Sequence, residues 1–162
     1  MATATRSPLH RFAFGRLDSS VHVAPLSRTE LVGRILLAAI FVLSGVMKLA
    51  DFEGALGHMQ AQGIPYAGPL LLVAALVEIL GGLSIMTGFL TRLGAFALFL
   101  YLIPVTLLFH DFWSYAGPER IAQSAQFMKN VAIMGGLLVL MAHGAARHAI
   151  DHKLDRTRPK VV

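Results

Sequence analysis

Four stretches of this chain, near residues 30–50, 68–89, 93–111 and 122–143, are apolar almost throughout. Each comes close to the ~20 residues that an α-helix needs to cross a hydrocarbon core about 30 Å thick. The composition points the same way, being 56% hydrophobic and only 14% charged, with a mean hydropathy of +0.65. Such a chain is far more apolar than a soluble domain, and 162 residues is the length of a single one. The expected fold is all-α: an antiparallel bundle of four transmembrane helices over residues 30–143. Basic segments flank it, 1–29 before and 144–162 after.

Within the first span Arg34 and Lys48 bracket a short uncharged centre, ILLAAIFVLSGVM. It crosses the membrane if the two cations snorkel toward opposite interfaces. The second span starts after the turn GIPYAGP and breaks at Thr87-Gly88. Only a few residues around FLTR separate it from the third, which makes those two an antiparallel hairpin.

Charge sets the expected orientation. Five arginines up to Arg34, Arg92 in the tight loop and five Lys or Arg after Gly144 make 11 of the 14 cations. Four spans put these regions on one side and Asp51, Glu53, Asp111 and Glu119 on the other. The excess of cations on one side therefore predicts cytoplasmic termini, N-in and C-in, in a bacterial inner membrane. Tyr66, Phe112, Trp113 and Tyr115 then fall at the outer interface, where aromatic belts form. This topology accounts for a pI near 10.1 without invoking nucleic acid.

Residues 1–29 lack the apolar core of a secretory signal peptide. Their arginines and few acids suit a mitochondrial transit peptide, a basic segment lying on anionic headgroups through RFAFGRL, or a plain cytoplasmic tail. The chain has no cysteine, which removes disulfides, thiolate nucleophiles, iron–sulfur ligation and cysteine-based zinc sites together. Any redox chemistry depends on a partner or a bound cofactor.

The feature that asks for a function is Glu78, near the middle of the second span in AALVEILGGLSIMTG. A carboxylate at that depth costs about 2.5–3.5 kcal/mol on the lenient insertion scale, so it is expected to face protein. Ala74, Gly81 and Gly82 share its helix face and are small enough to admit a neighbouring helix. Lys48 shares a face with Ser44 and Gly45, and Lys129 with Ala125, Ala132 and Gly136. Either lysine is within feasible reach of Glu78, and pairing offsets much of the desolvation cost. In the third span Pro104 removes a backbone donor and is expected to kink the helix. Tyr101, Thr106 and His110 lie around it, and His110, Asp111 and Trp113 come at the outer mouth near His58 and Glu119.

A structural reading stands beside each of these. The Glu–Lys contact serves equally to lock helix register. The glycines suit packing rather than phosphate, since GGLSIMTG has neither a preceding strand nor a P-loop lysine. No metal-spaced cluster is present, and only His58 and His110 share a side, so neither metal nor bis-histidine haem is expected.

GRILLAAIFVLSGVMKL, with Arg34, Gly45 and Lys48, is followed by VEILGGLSIMTGFLTRLGA, with Glu78, Gly81, Gly82, Gly88, Thr91 and Arg92. Then come FMKN with a following GG, and GAARHAID, in which Gly144, Arg147 and Asp151 fit a closing pattern G-P-G-R-x-x-x-D while Ala145 and Ala146 depart from it. In their order and spacing these motifs resemble the DoxX family of small four-helix membrane proteins, from about Arg34 to Asp151. The resemblance implies structural roles for Arg34, Gly45, Gly81, Gly82, Arg92, Arg147 and Asp151. Members are similar to the DoxD-type subunits of thiosulfate:quinone oxidoreductase, and others are associated with quinone, thiol or oxidative stress. A more distant branch resembles cargo receptors and assembly chaperones, which act by binding.

Two function classes follow. In the first, the chain is a redox-associated subunit, and if catalytic a quinone-linked oxidoreductase subunit, holding a quinone or similar apolar acceptor between its helices. Glu78 then exchanges a proton, His110 relays it outward, Lys48 or Lys129 steadies an anionic oxygen, and Tyr101 and Trp113 complete the site. In the second, it is a non-catalytic membrane scaffold or assembly chaperone that recruits a protein partner. A homo-oligomer fits either class, and a transporter fits only if it dimerises, because four spans leave one protomer little room for alternating access.

Overall fold

The computed structural model describes residues 27–145. Most of the two basic end segments, with Arg147 and Asp151, lies outside the described residues. Five α-helices run α1 (Ser27–Ala50), α2 (Phe52–Ala61), α3 (Ala67–Thr87), α4 (Thr91–Phe109) and α5 (Gly117–His143), with a single 3₁₀ turn over Phe112–Ser114 before α5. Four of them, α1, α3, α4 and α5, are long and apolar enough to cross a membrane, and the described residues hold no strand.

The chain differs from expectation mainly at the ends of helices and in the loop after α1. Helix α1 begins at Ser27 and α5 at Gly117, a few residues earlier than hydropathy suggests. Polar turns such as GPERIAQ continue a helix beyond the apolar stretch because Pro118 near its start fits the first turn. Helix α2 is an element that hydropathy does not predict. Its ten residues are too short to cross a bilayer, but Asp51 caps it by accepting a hydrogen bond from the Gly54 N–H at 3.2 Å. Helix α4 runs through Pro104 without interruption.

Packing runs in chain order, α1 along α3, α3 along α4 and α4 along α5. Glycines let the first two pairs close. A Cβ at Gly45 would stand 2.7 Å from the Ile79 side chain and 2.8 Å from the Ala75 carbonyl oxygen, and one at Gly82 2.7 Å from Val42. On the other side of α3, a Cβ at Gly81 would collide with Leu98 of α4 at 2.7 Å. At 100° per residue Gly81 and Gly82 lie roughly −60° and +40° from the direction of Glu78. Each glycine therefore serves a different neighbour, and Glu78 points between α1 and α4.

The tight α3–α4 turn is held by Gly88, whose φ of 74° closes α3, and by the Ser84 hydroxyl, which donates to the carbonyls of Phe89 (2.6 Å) and Leu90 (3.1 Å). The exposed Arg92 donates to the Ala142 carbonyl at 3.3 Å, tying that turn to the end of α5. Arg34 does not snorkel. It is 3% exposed at the same end of the bundle as this turn, and its Nε and Nη1 donate no hydrogen bond to any described residue.

Gly45→Val is expected to push α1 off α3 and to cost about 1–3 kcal/mol, the usual range for overpacking. Gly57, where an added Cβ would have nothing within 4 Å, supplies the control: Gly57→Ala should lose no stability. Thermal unfolding in detergent reads both, and equal midpoints for the two variants would contradict the close α1–α3 approach.

Candidate functional site

Glu78 is 4% exposed, and three side chains from two other helices converge on it. From α1, the Lys48 ammonium meets Oε2 at 2.8 Å and Oε1 at 3.1 Å, and the Ser44 hydroxyl donates to Oε1 at 3.1 Å. From α4, the Tyr101 hydroxyl donates to the same Oε1 at 2.9 Å. Lys48 also donates to Ser44 Oγ at 2.6 Å, one turn back on its own helix. All three ammonium protons therefore have acceptors inside the protein. The local sequence permits this because Ser44 and Lys48 stand at i and i+4, on the face that Gly45 brings against α3.

Of the two lysines, Lys48 is the partner of Glu78. Its side chain is 27% exposed and bends inward instead of snorkelling to the interface. In a low dielectric, an ion pair with good geometry recovers most of the desolvation that either charge alone would suffer. Lys129 forms no ion pair with Glu78. It is exposed and donates to Gln126, one turn earlier on α5.

Beside the pair is a cavity of about 490 Å³ to which all five helices contribute. Its walls are mostly aliphatic, from Ile40, Leu71, Val77, Leu102 and Ile133, with Lys48, Glu78 and Tyr101 at one place on them and Lys129 and Asn130 on the α5 side. Helix α2 lines it through Ala55, His58 and Met59, and the His58 ring stacks on Phe109 at 5.5 Å. His110 also lines it, and its Nδ1 lies 3.0 Å from Gln123 Oε1. Gln123 Nε2 donates in turn to Glu119 at 3.1 Å. A hydrogen-bonded path thus leads from the cavity to an exposed carboxylate.

Trp113 is not part of the cavity. It packs edge-on against Phe112 and Phe127 at 5.2 and 6.1 Å, because the 3₁₀ turn carries it away from α4 and over α5. Two further polar residues, Asn130 and Gln123, are not singled out by sequence pattern. Asn130 is buried and donates to Thr106 at 3.1 Å, joining α4 to α5. Its position in FMKN, next to a charged residue in an apolar span, is the available signal. A second groove of about 570 Å³, between α3 and α4, has almost wholly apolar walls and carries no chemistry. No group of three or more His, Asp or Glu able to hold a metal occurs among the described residues.

Similarity to known proteins falls on these same helices. The DoxX family model matches residues 29–111, which include α1, α3, Glu78, Lys48 and Tyr101. The chain belongs to the DoxX family. It is 35% identical over 126 residues to inner membrane protein YqjF of Escherichia coli K12, across 78% of this chain and 92% of that relative. With inner membrane protein YphA of the same organism it shares 28% over 123 residues, across 76% and 88%. No solved structure matches. This DoxX protein is an integral membrane protein.

Removing either partner of the ion pair strands a charge inside the membrane. Glu78→Ala and Lys48→Ala are each expected to cost about 2–3 kcal/mol, below the fully buried range because Lys48 is partly exposed. The double variant should lose clearly less than the two costs added together. Purely additive losses in detergent unfolding would show that the two residues are not coupled.

Proposed function

We propose that this DoxX protein is a redox-associated protein of a bacterial inner membrane that binds a quinone, or a similar apolar acceptor, in the cavity beside Glu78. The observation that carries the reading is the cavity itself. Its volume falls within the roughly 300–1,000 Å³ usual for small-molecule sites, and its aliphatic walls converge on a few polar groups, the usual build of such sites. A quinone bound there supplies two-electron, two-proton carbonyl–hydroxyl chemistry, its electrons exchanged with a redox partner. Glu78, bonded to Lys48 at the cavity wall, is placed to accept a proton from a hydroxyl and to return it. Tyr101 orients the carboxylate from the opposite side. His110, at the outer mouth of the cavity and oriented by Gln123, which also bonds Glu119, is the group that exchanges the proton with the outer side.

One observation favours a second reading, the non-catalytic scaffold or chaperone. The hydrogen bonds of Lys48, Ser44 and Tyr101 to Glu78 are complete without any ligand, as a register lock requires. The readings separate by mass spectrometry of protein purified in mild detergent. A retained quinone supports the first, whereas a stoichiometric protein partner and no small redox molecule support the second. Glu78→Gln should abolish quinone-dependent turnover while the bundle stays folded, and unchanged turnover removes Glu78 from the mechanism.

The orientation proposed with this function is N-in and C-in, carried by the cation bias of the sequence. The absence of native cysteine makes single-cysteine labelling direct. In intact cells Gly57→Cys, on α2, should react with a membrane-impermeant maleimide and His143→Cys, at the end of α5, should not. The reverse pattern overturns the orientation.

A further inference from the structure

The cavity holds two lysines and one carboxylate. Lys48 and Glu78 neutralise each other at 2.8 Å. Among the described residues Lys129 is bonded to the neutral Gln126 and forms no ion pair. Its position on the bundle follows from the register of α1 and α5. These helices approach where a Cβ on Gly136 would lie 3.5 Å from Leu37. Two turns outward from that contact stand Ser44 on α1 and Lys129 on α5, each seven residues on and about 10 Å away at 1.5 Å per residue. Seven residues is close to two whole turns, so Lys129 keeps the direction of Gly136 and faces α1 across the widening gap. Ser44, at that level, bonds Glu78. The uncompensated ammonium thus faces the cavity at the depth of the ion pair.

A lysine near the middle of a span costs about 2.5–3.5 kcal/mol even on the lenient insertion scale. The one carboxylate on the cavity wall, Glu78, is already paired with Lys48 and leaves Lys129 no counter-charge there. We propose that the molecule held in this cavity carries a negative charge on its polar head, and that Lys129 takes that charge. The ligand class is an amphiphile with an ionised acidic head, a hydroxyquinone or a long-chain carboxylate, lying between α1 and α5 with its apolar part along Ile40, Val77 and Ile133. The inference rests on the cavity being the ligand site.

Three probes of equal chain length test it with the full chain in nanodiscs of zwitterionic lipid. They are a 2-hydroxy-3-alkyl-1,4-naphthoquinone, ionised at neutral pH, the matching 2-alkyl-1,4-naphthoquinone, which is neutral, and the fatty acid. By titration calorimetry the ionised quinone should bind about tenfold or more tightly than the neutral one, a difference of about 1.4 kcal/mol. Lys129→Gln should abolish that preference by weakening the ionised probe's binding far more than the neutral one's, and Lys129→Arg should keep it. A fatty acid that binds as well as the ionised quinone assigns the site to carboxylates, and one that does not assigns it to hydroxyquinones. Equal binding of the two quinones, or an equal loss for both in Lys129→Gln, overturns the charge assignment and leaves the cavity reading standing. No binding by any probe overturns both.

Discussion

The ion pair between Lys48 and Glu78 is the constraint around which the bundle is arranged. A carboxylate within an apolar span is tolerable only when its lone pairs are met, and here Ser44, Lys48 and Tyr101 meet them from two sides. That requirement dictates the spacing of the helices. α1 must lie close enough to α3 for a serine to reach across, hence Gly45 and Gly82 at the crossing. α4 must present a tyrosine at the same level, hence the close approach at Gly81. The small residues around Glu78 are what allow the acid to be there.

In the same arrangement α5 packs chiefly along α4 and buries Leu137 in the core. Asn130 donates to Thr106 across that contact, Arg92 ties the α3–α4 turn to the end of α5, and α5 meets α1 around Leu37 and Gly136. Outward of that point the two helices line opposite sides of the cavity, and α2 lines it from the outer loop. The polar groups that remain available to a ligand, Lys129, His58 and His110, belong to α5, α2 and the end of α4. The saturated groups, Lys48, Ser44 and Tyr101, belong to α1 and α4 where they meet α3. In the proposed reading Glu78 belongs to both sets, braced by Lys48, Ser44 and Tyr101 while it lines the cavity.

Much of this is legible in the sequence because the membrane is a severe solvent. Four apolar stretches of near-spanning length, an acid among small residues and a short FLTR connection follow from transfer free energy and from the periodicity of a helix. The inward position of Glu78 needs no coordinates, since hydrocarbon leaves a carboxylate no other place. Helix α2 is not legible. Its ten residues are amphipathic and too short for hydropathy to register, and their helix depends on the Asp51 cap. Asn130 and Gln123 escape for a similar reason, because an uncharged amide carries too small a transfer penalty to stand out.

By itself the sequence determined the number of spans, the all-α class and the need for a cation near Glu78, all through how strongly each residue is rejected or accepted by lipid. Which cation it would be was settled only by tertiary packing. Lys48 and Lys129 are equivalent in charge and similar in depth, and both stand beside small residues. They differ in that Gly45 brings α1 against α3, whereas α5 carries Lys129 on the wall of the cavity. Distance between helices is set by side chains scattered over the whole chain, so one lysine closes on the acid while the other is left facing an open cavity.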